Sequence, residues 1–380
     1  MKTSPKQKKI LYFAGEDWAF CLHRLPLARA AREAGHDVVV VTRVRDHAAP
    51  IKQAGLRLIP LEISRGGMRP LQEINTLLNL LKIYRAERPD LVHHVAIKPV
   101  LYGSLIAALT GVKAVVNALT GMGFLFTSQS LRARLLQPPV ELALRLLLNR
   151  RGSRVIFQNR DDFDALIAKN IVARDNARLI RGSGVDIDAF SPSPEPAAIP
   201  VIVLPARLLR DKGVGEFVTA ARLLKARRVQ ARFALVGDRD AQNPAVVPQE
   251  KLDAWRAEGV VELWGWRSDM AQVYRECHIV CLPSYREGFP KVLLEAAACG
   301  RPLISTDVEG CREAVAHNRS GLLVPVRDAE ALAGALADLI AHPARRAAFG
   351  AAAREIVVGE LSLPVVIART LAVYAEVMPY

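Results

Sequence analysis

Cysteine and aromatic residues are both scarce in this chain. Its 380 residues include five cysteines, and aromatic side chains make up 6% of the composition. The number of cysteines is odd and none of them forms a Cys-x-x-Cys pair, so the sequence argues against a disulfide framework and indicates a reduced, cytoplasmic protein. Because 51% of the residues are hydrophobic, the composition also excludes intrinsic disorder and predicts an aliphatic α/β core.

Clustered metal ligands are lacking as well. Cys277 and Cys281 lie close together beside a predicted strand, and a metal site is one interpretation of that spacing. No matching set of partner ligands accompanies them, which favours the alternative that both are small core residues. We therefore predict no metal site.

No run of residues is long and apolar enough for a convincing membrane span. The best candidate, residues 99–126, contains Lys113, Asn117, four glycines and a proline. This pattern is typical of a buried helix followed by a buried parallel strand. The first nine residues are basic, but a predicted strand follows them directly, so we expect no secretion signal.

Acidic residues are few in the first half of the chain. Residues 1–190 contain 29 Lys and Arg against 16 Asp and Glu, a net charge of +13, whereas residues 191–380 contain 23 against 22, a net charge of +1. Residues 130–160 include seven arginines, among them Arg132, Arg134 and Arg145, against Glu141 alone, with leucines between them. A basic amphipathic segment of this kind suits an anionic membrane surface.

Two alternatives remain for this basic segment. Nucleic acid is a rival partner, but residues 130–150 contain no aromatic side chain that could stack on bases. The segment is also consistent with a helix whose leucines face the core and whose arginines face solvent.

The length predicts two domains, because a single hydrophobic core rarely grows beyond about 300 residues. Apolar strand-like runs alternate with helical patterns in both halves, which predicts parallel sheets covered by helices. The domains are expected at residues 1–190 and 201–362, with a proline-rich linker at 191–200. The predicted strands are 10–14, 38–42, 56–60, 91–95, 114–119, 154–158, 201–204, 232–236, 260–264, 279–282, 302–305 and 321–324. The main predicted helices are 25–33, 71–88, 101–109, 214–225, 292–299, 329–341 and 363–377.

The most informative motif joins the predicted strand 279–282 to the helix that follows it. Glu287 lies in the turn, and Glu295 lies about two helical turns later. Ligands of open α/β sheets bind at the carboxyl ends of strands, where a helix amino terminus offers unpaired N–H groups to a diphosphate. Two carboxylates at this place can hold hydroxyl groups at two points along a nucleotide sugar. Residues of the turn and of the first helical turn are therefore candidate ligand contacts: Gly288, Phe289, Pro290, Val292 and Leu293.

This motif resembles that of the retaining glycosyltransferases of family 4, which share the GT-B fold and carry a Glu, seven residues, Glu signature. The resemblance rests on Pro-Ser before the turn, Glu-Gly-Phe-Pro in it, and the sequence from Glu295 to Ile304 after it. It implies an α/β protein with two Rossmann-like parallel-sheet domains facing a cleft, and a final helix, 363–380, that crosses back to the first domain. It further implies that Glu287 faces the donor sugar and that Glu295 binds the ribose hydroxyls.

A second motif follows the predicted strand 201–204. Arg207 and the Lys212-Gly213 pair resemble the family residues that stabilise the donor diphosphate. Two fixed cations can offset the negative charge that develops on a departing nucleotide diphosphate without a metal ion. Trp266 lies just past another strand, where related enzymes bind the nucleobase, although packing is an equal interpretation of that side chain.

The first half of the chain carries weaker signals. His93 and His94 end a predicted strand, and with the sequence 117–123 they resemble a subset of the family that elongates sugars linked to polyprenyl diphosphates. The chain departs from many members by having Ala14-Gly15 in place of a Gly-Gly loop, and Leu119-Thr120 in place of a histidine. We take His93 or His94 as the substitute catalytic candidate, with a core histidine as the alternative, and keep Gly15 as a candidate ligand contact.

The resemblance predicts a retaining hexosyltransferase that moves a sugar, a hexosamine, from a UDP-sugar to a polyprenyl-diphosphate-linked saccharide. It implies no cofactor, because the nucleotide sugar is a substrate. The enzyme is expected at the inner face of the cell membrane as a peripheral protein, without nucleic acid as a partner. The alternatives are a glycosyltransferase with a soluble acceptor, a nucleotide-sugar epimerase, and, outside enzymology, a basic nucleic-acid-binding protein.

Overall fold

The structure, a computed structural model, describes residues 7–64, 70–121, 131–241 and 243–378, and only the backbone of residues 131–134. Met122 and Gly123 of the sequence motif therefore lie outside the described residues, as do the side chains of Arg132 and Arg134. The chain divides into two compact units. The first unit comprises residues 1–183 and 366–380, and the second comprises residues 184–365, so the proline-rich segment 191–200 belongs to the second unit.

The first unit contains a seven-stranded sheet in the order β3-β2-β1-β4-β5-β6-β7, and every neighbouring pair is parallel. The central strands are almost wholly buried because helices cover both faces. The strands are β1 (Lys9–Ala14), β2 (Asp37–Thr42), β3 (Arg57–Pro60), β4 (Leu91–Val95), β5 (Ala114–Leu119), β6 (Ser153–Phe157) and β7 (Ala177–Leu179).

Helices connect these strands, as a parallel sheet requires. Leu11 and Phe13 of β1 pack with Leu80 and Ile106 on one face of the sheet, whereas Tyr12 packs on the other face. The helices are α1 (Asp17–His23), α2 (Leu25–Glu33), α3 (Ala48–Gln53), α4 (Pro70–Glu87), α5 (Ile97–Thr110), α6 (Leu131–Leu148) and α7 (Arg160–Ala168), followed by a 3₁₀ turn at Arg174–Asn176.

The second unit contains a six-stranded parallel sheet in the order β10-β9-β8-β11-β12-β13. Its strands are β8 (Val201–Pro205), β9 (Arg232–Val236), β10 (Glu262–Gly265), β11 (Ile279–Leu282), β12 (Leu303–Thr306) and β13 (Gly321–Val324). A 3₁₀ turn at Arg210–Lys212 and a π-helical turn at Val357–Leu361 accompany the helices. The helices are α8 (Val214–Ala226), α9 (Gln249–Ala257), α10 (Met270–Glu276), α11 (Lys291–Ala298), α12 (Glu309–Ala314), α13 (Ala329–Ala341) and α14 (Pro343–Ile356).

The last helix, α15 (Leu363–Val377), returns the chain to the first unit. The Tyr374 hydroxyl lies 2.8 Å from the Tyr12 hydroxyl and 2.5 Å from Nδ1 of His93. Val366, Val373 and Tyr374 belong to the same core cluster as Tyr12. The helix is thus an integral layer of the first unit.

The predicted α/β class with two parallel sheets is confirmed. The elements that the sequence patterns do not predict are mostly short or polar: α1, α3, α7, α9, α10, α12, α14 and β7. Helix α9, for example, buries only Leu252. Among the described residues, no helix combines the length and the apolar character that a membrane crossing needs.

Each sheet has one point where the strand order reverses. In the first unit the chain runs outward from β1 through β2 and β3, and then from β4 in the opposite direction. In the second unit the same reversal separates β8 from β11. Loops that leave two neighbouring strands in opposite directions open a crevice between them, and this is where open α/β sheets bind ligands.

The reversal in the first unit carries a strained residue. Ala96, between β4 and α5, has φ 76° and ψ 159°, a backbone region that is open mainly to glycine. Its N–H donates to the Ala118 carbonyl at 3.0 Å, and its carbonyl accepts from the N–H of Val100 at 2.9 Å. Both neighbouring elements therefore hold the residue in this conformation.

We expect Ala96→Gly to stabilise the protein, because glycine adopts this conformation without a clash between Cβ and the backbone. Relief of strain should exceed the extra chain entropy of glycine, which gives a net gain of about 1 kcal/mol in the free energy of unfolding. Ala108→Gly, inside α5, is the matched control and should lose about 1 kcal/mol. Urea unfolding of both variants tests this, and equal losses would show that Ala96 is not strained.

Candidate functional site

The candidate site of the second unit forms where β8 and β11 end side by side. The loop after β8, residues 206–213, carries Arg207 and Lys212, and the loop after β11, residues 283–290, carries Glu287. The two strands are paired in parallel, so their carboxyl ends lie at the same edge of the sheet. The order reversal between them places both loops at the usual ligand position of such a sheet.

Close backbone contacts hold the two loops together. The N–H of Tyr285 donates to the Asp211 carbonyl at 2.8 Å. Gly213 has φ 69°, and a Cβ there would collide with the carbonyl oxygen of Pro283. A glycine is therefore required at this position, both for the left-handed backbone and for the close approach of the loops.

Lys212 and Glu287 form an ion pair across the reversal, between Nζ and Oε1. The Ser284 hydroxyl donates to the same Glu287 oxygen at 2.7 Å. Both side chains of the ion pair are largely buried, since 22% and 11% of their surfaces are exposed. The structure thus brings together a predicted diphosphate-binding cation and the predicted sugar-facing carboxylate.

Arg207 makes a different contact. Its Nη1 donates to Oδ2 of Asp240 at 2.7 Å, and both side chains are partly exposed. Asp240 follows β9, the neighbour of β8 on the side away from β11. The two predicted cations, Arg207 and Lys212, therefore have separate acidic partners.

Glu295 lies inside the second unit on α11, with 8% of the residue exposed. Its Oε2 accepts from the Tyr274 hydroxyl at 3.3 Å, and its Oε1 lies 3.9 Å from Nζ of Lys291. Burial raises the pKa of the Glu295 carboxyl to about 7, although the Lys291 ammonium and the Tyr274 hydroxyl act in the opposite direction. A buried carboxyl with a pKa shifted toward neutrality is typical of functional sites.

The remaining candidates of this turn differ in exposure. Pro290 and Leu293 are buried, whereas Gly288, Phe289 and Val292 are half-buried. The N–H of Gly310 donates to the Glu287 carbonyl at 3.2 Å, so the loop also rests on α12. These contacts hold the amino terminus of α11 at the carboxyl edge of the sheet.

Trp266 is 68% exposed and does not pack in the core. It follows β10, the edge strand two positions from β8 in the sheet order.

The histidine candidates lie in the core of the first unit. His93 and His94 are 1% and 0% exposed. The ring of His94 is hydrogen-bonded to the Tyr84 hydroxyl at 2.9 Å and to Oδ1 of Asn117 at 2.7 Å. These contacts match the core alternative, and we do not include either ring in the proposed site.

Burial also affects the charge of these rings. The pKa of His93 is lowered well below its usual range by burial and by the nearby Arg24 guanidinium. Burial lowers the pKa of His94 to about 4. Both rings are consequently neutral at physiological pH. Gly15, the other first-unit candidate, follows β1, and a Cβ there would meet no atom within 4 Å.

Several contacts of the site have no clear signal in the sequence. Tyr274 reaches Glu295 from α10, a helix that the sequence patterns do not predict, and Asp240 reaches Arg207 from an irregular loop. Ser284 and Lys291 lie close in sequence to Glu287 and Glu295, and that position is the sequence signal for their role. Side-chain partners from separate elements follow from the fold rather than from local spacing.

Cys277 and Cys281 are buried core residues. Burial raises the pKa of the Cys277 thiol to about 12, and burial also raises that of Cys281, so both stay protonated and pack in the core. Across the described ranges, no group of three or more His, Cys, Asp or Glu side chains is arranged to hold a metal ion.

Two family models match the chain, one for each half. Residues 9–159 match the model described as glycosyl transferase 4-like, and residues 199–342 match that of glycosyl transferases group 1. The second match contains Arg207, Lys212, Glu287 and Glu295.

Similar curated proteins include two enzymes named for diphosphoundecaprenol-linked sugars. One is the N,N'-diacetylbacillosaminyl-diphospho-undecaprenol alpha-1,3-N-acetylgalactosaminyltransferase of Campylobacter jejuni, 28% identical over 81% of this chain and 83% of the relative. The other is the UDP-Gal:alpha-D-GlcNAc-diphosphoundecaprenol alpha-1,3-galactosyltransferase of Escherichia coli, 25% identical over 70% of each chain.

Solved structures with a similar fold span almost the whole chain. A glycosyltransferase from Rickettsia africae superposes with a TM-score of 0.78 at 19% identity and covers 98% of this chain and 99% of its own. The Anabaena protein HepE, solved with UDP and glucose, gives a TM-score of 0.74 at 20% identity and covers 96% of this chain and 100% of its own. At this level of identity the likeness shows the fold.

The raised pKa of Glu295 predicts how stability depends on pH. The folded protein binds a proton at this carboxyl up to about pH 7, whereas the unfolded chain releases it near pH 4.5, so Glu295 lowers stability as pH rises through that window. The free energy of unfolding of Glu295→Gln, measured relative to that of the wild type, should therefore rise by roughly 2 kcal/mol from pH 5 to pH 8.

Denaturant unfolding of both proteins at the two pH values measures this difference. Glu87→Gln is a contrasting control, because the pKa of Glu87 is lowered by Arg57 and Lys9 against the effect of burial, and its replacement should reduce stability at both values. If the difference in unfolding free energy between the wild type and Glu295→Gln is the same at pH 5 and pH 8, the pKa of the Glu295 carboxyl is not raised in the folded protein.

Proposed function

Because the chain belongs to the glycosyltransferases, with a 4-like first half and a group 1 second half, and has the GT-B fold, we propose that it transfers a hexosamine from a UDP-sugar to a polyprenyl-diphosphate-linked saccharide, with retention at the anomeric carbon. The observation that carries this proposal is the pair of Lys212 and Glu287 at the strand-order reversal of the second unit. Its position and chemistry suit a sugar attached to a diphosphate.

In the proposed reaction the bond between the anomeric carbon and the diphosphate oxygen breaks. Lys212 and Arg207 offset the negative charge that develops on the departing diphosphate, and the amino terminus of α11 adds N–H donors. Donor binding would redirect each cation from its carboxylate partner toward the diphosphate. Glu287 would accept hydrogen bonds from hydroxyl groups of the donor sugar, and the Ser284 hydroxyl, which donates to Glu287, would hold its carboxylate in place.

Retention is proposed to follow a front-face route. The acceptor hydroxyl forms its new bond on the face from which the diphosphate leaves, and its proton passes to a diphosphate oxygen. This route needs no enzymatic base and no carboxylate nucleophile of the kind found in retaining hydrolases. It agrees with the cationic surroundings of the reversal, and it needs neither a metal ion nor a cofactor.

The donor and acceptor proposals draw on the relatives. The Campylobacter relative is named for N-acetylgalactosamine transfer and for a diphospho-undecaprenol acceptor, and the Escherichia coli relative is named for UDP-Gal and a diphosphoundecaprenol-linked acceptor. The first name supports a hexosamine, the second supports a UDP-sugar donor, and both support a lipid-linked acceptor here. A lipid-linked acceptor would place the enzyme at the inner face of the cell membrane as a peripheral protein, without nucleic acid as a partner.

A screen of UDP-, GDP- and dTDP-sugars against polyprenyl-diphosphate-linked saccharides tests this function. We expect transfer from a UDP-hexosamine, and Lys212→Ala should lower kcat by about a hundredfold, since a contact to a developing anion is worth about 3 kcal/mol. Asp211→Ala, beside the ion pair in the same turn, is a matched control for folding of the loop. Donor epimerisation without acceptor, or normal turnover by Lys212→Ala, would contradict the proposal.

The two glutamates should affect different steps. Above pH 7, where the Glu295 carboxyl is ionised, Glu295→Gln is expected to weaken UDP binding about tenfold, because a charge-assisted hydrogen bond to the ribose is worth about 1.5 kcal/mol more than the bond left by the amide. Glu287→Gln should keep UDP affinity and lower sugar transfer. Calorimetry with UDP and initial rates with the full donor separate these effects, and equal UDP affinity for Glu295→Gln and the wild type would remove the ribose assignment.

A further inference from the structure

Exposed apolar side chains are concentrated on one part of the first unit. Twelve large hydrophobic residues are exposed in the described part of the chain, and eight of them lie on α4, α5 and α6. Leu71 is 82% exposed, the highest value among them. We call these eight the apolar helix surface: Leu71, Ile74, Leu78, Leu105, Leu109, Leu135, Leu142 and Leu146.

The three helices lie side by side. Helix α5 packs between α4 and α6, and residues of α4 and α5 cover the same face of the sheet. Within each helix the exposed residues are three, four or seven positions apart, which places them on one side of that helix. The surface is therefore shared by neighbouring helices rather than scattered, and contiguous apolar surfaces of this kind mark interaction sites.

Charge around the surface has one sign. The described acidic side chains of the three helices are all paired: Glu73 with Lys98, Glu87 with Lys9 and Arg57, and Glu141 with Lys169.

The basic side chains around the surface differ in this respect. Five exposed cations on or next to the same helices form no ion pair with a carboxylate among the described residues: Lys82, Arg85, Lys113, Arg145 and Arg151. Arg145 lies near enough to Glu141 to lower the pKa of its carboxyl, but the ion pair of Glu141 is with Lys169. The outer side of this layer thus combines exposed leucines with unneutralised positive charge.

We propose that the apolar helix surface docks the protein on a bilayer of anionic lipids, with the leucines entering the headgroup boundary and the five cations contacting lipid phosphates. Burial of leucine and attraction of lysine and arginine to anionic lipids act together in such binding. This inference rests on the proposed function, in which the acceptor is held in a membrane by its lipid. It extends the docking region from the basic segment 130–160 to α4 and α5.

The charge pattern favours lipid over a second copy of the chain. Two copies that met through this surface would bring their unpaired cations together and bury leucines at the cost of like-charge repulsion. An anionic bilayer neutralises the same cations.

The test is co-sedimentation with vesicles of phosphatidylglycerol and phosphatidylcholine, and with vesicles of phosphatidylcholine alone. The variant Leu71→Gln/Leu109→Gln/Leu146→Gln removes one exposed leucine from each helix and should lower binding to the anionic vesicles at least tenfold. Lys82→Gln/Lys113→Gln/Arg145→Gln should weaken the same binding about fivefold for each charge removed, and added salt should reduce that loss.

The matched control is Leu22→Gln/Ile199→Gln/Val358→Gln, which changes three exposed apolar residues that are not on α4, α5 or α6 and should bind vesicles as the wild type does. Light scattering of each variant without lipid reports self-association. Vesicle binding that is unchanged in the leucine variant, or a dimer that the leucine variant dissociates, would overturn the docking proposal.

Activity separates this inference from the proposed function. With docking lost, transfer to a full-length lipid acceptor in vesicles should fall, while transfer to a short-chain acceptor in solution stays at the wild-type rate. If neither acceptor is used by the wild type but the leucine variant still loses vesicle binding, the proposed function fails and the docking surface stands. Equal loss with both acceptors would instead show that these leucines serve the fold, which contradicts the docking role.

Discussion

The reversal of strand order between β8 and β11 is the constraint on which the candidate site depends. It brings together two loops that are far apart in the chain, and the ion pair of Lys212 with Glu287 joins them. The pair is largely buried, so loss of either partner would leave a charge in a place where water cannot fully solvate it. Glycine at 213 and the bond from Tyr285 to Asp211 hold the loops at the distance that the pair requires. Lys212 and Glu287 are therefore neighbours because β8 and β11 are adjacent in the sheet.

Much of the architecture could be predicted because buried parallel strands are continuous apolar runs. The pattern at 201–204 and 279–282 was sufficient to place β8 and β11, and the motif after each strand then fell at the correct edge. Prediction failed where elements are short or where few residues face the core. Helix α9 buries Leu252 alone, and β7 has three residues, so neither produces a periodic signal that stands out from a loop.

The two loops of the candidate site could be predicted from the sequence, but the side chains that contact its residues could not. Lys212 and Glu287 each follow a strand, and neighbouring strand ends were expected to meet. The sequence could not indicate that Glu295 would be enclosed with Tyr274, because burial depends on how α10 packs against α11. For His93 and His94 the sequence suggested an accessible position, whereas both rings are buried. A position in the last part of a strand suggested access to ligand, but strand residues alternate between two covered faces, and Tyr84 and Tyr374 occupy the space around the two rings.

The return of α15 to the first unit has a consequence for how the protein is made. The polypeptide emerges from the ribosome in order, so residues 1–183 appear first but lack the helix that carries Tyr374. Until that helix is synthesised, Tyr12 and His93 lack the part of their covering layer that Tyr374 supplies, although Phe20 of α1 already packs against Tyr12. The second unit, residues 184–365, is contiguous in sequence and can fold as soon as it emerges. The nascent first unit must therefore wait with part of an apolar face open, and an interval of this kind is where chaperones that recognise exposed hydrophobic surface would act.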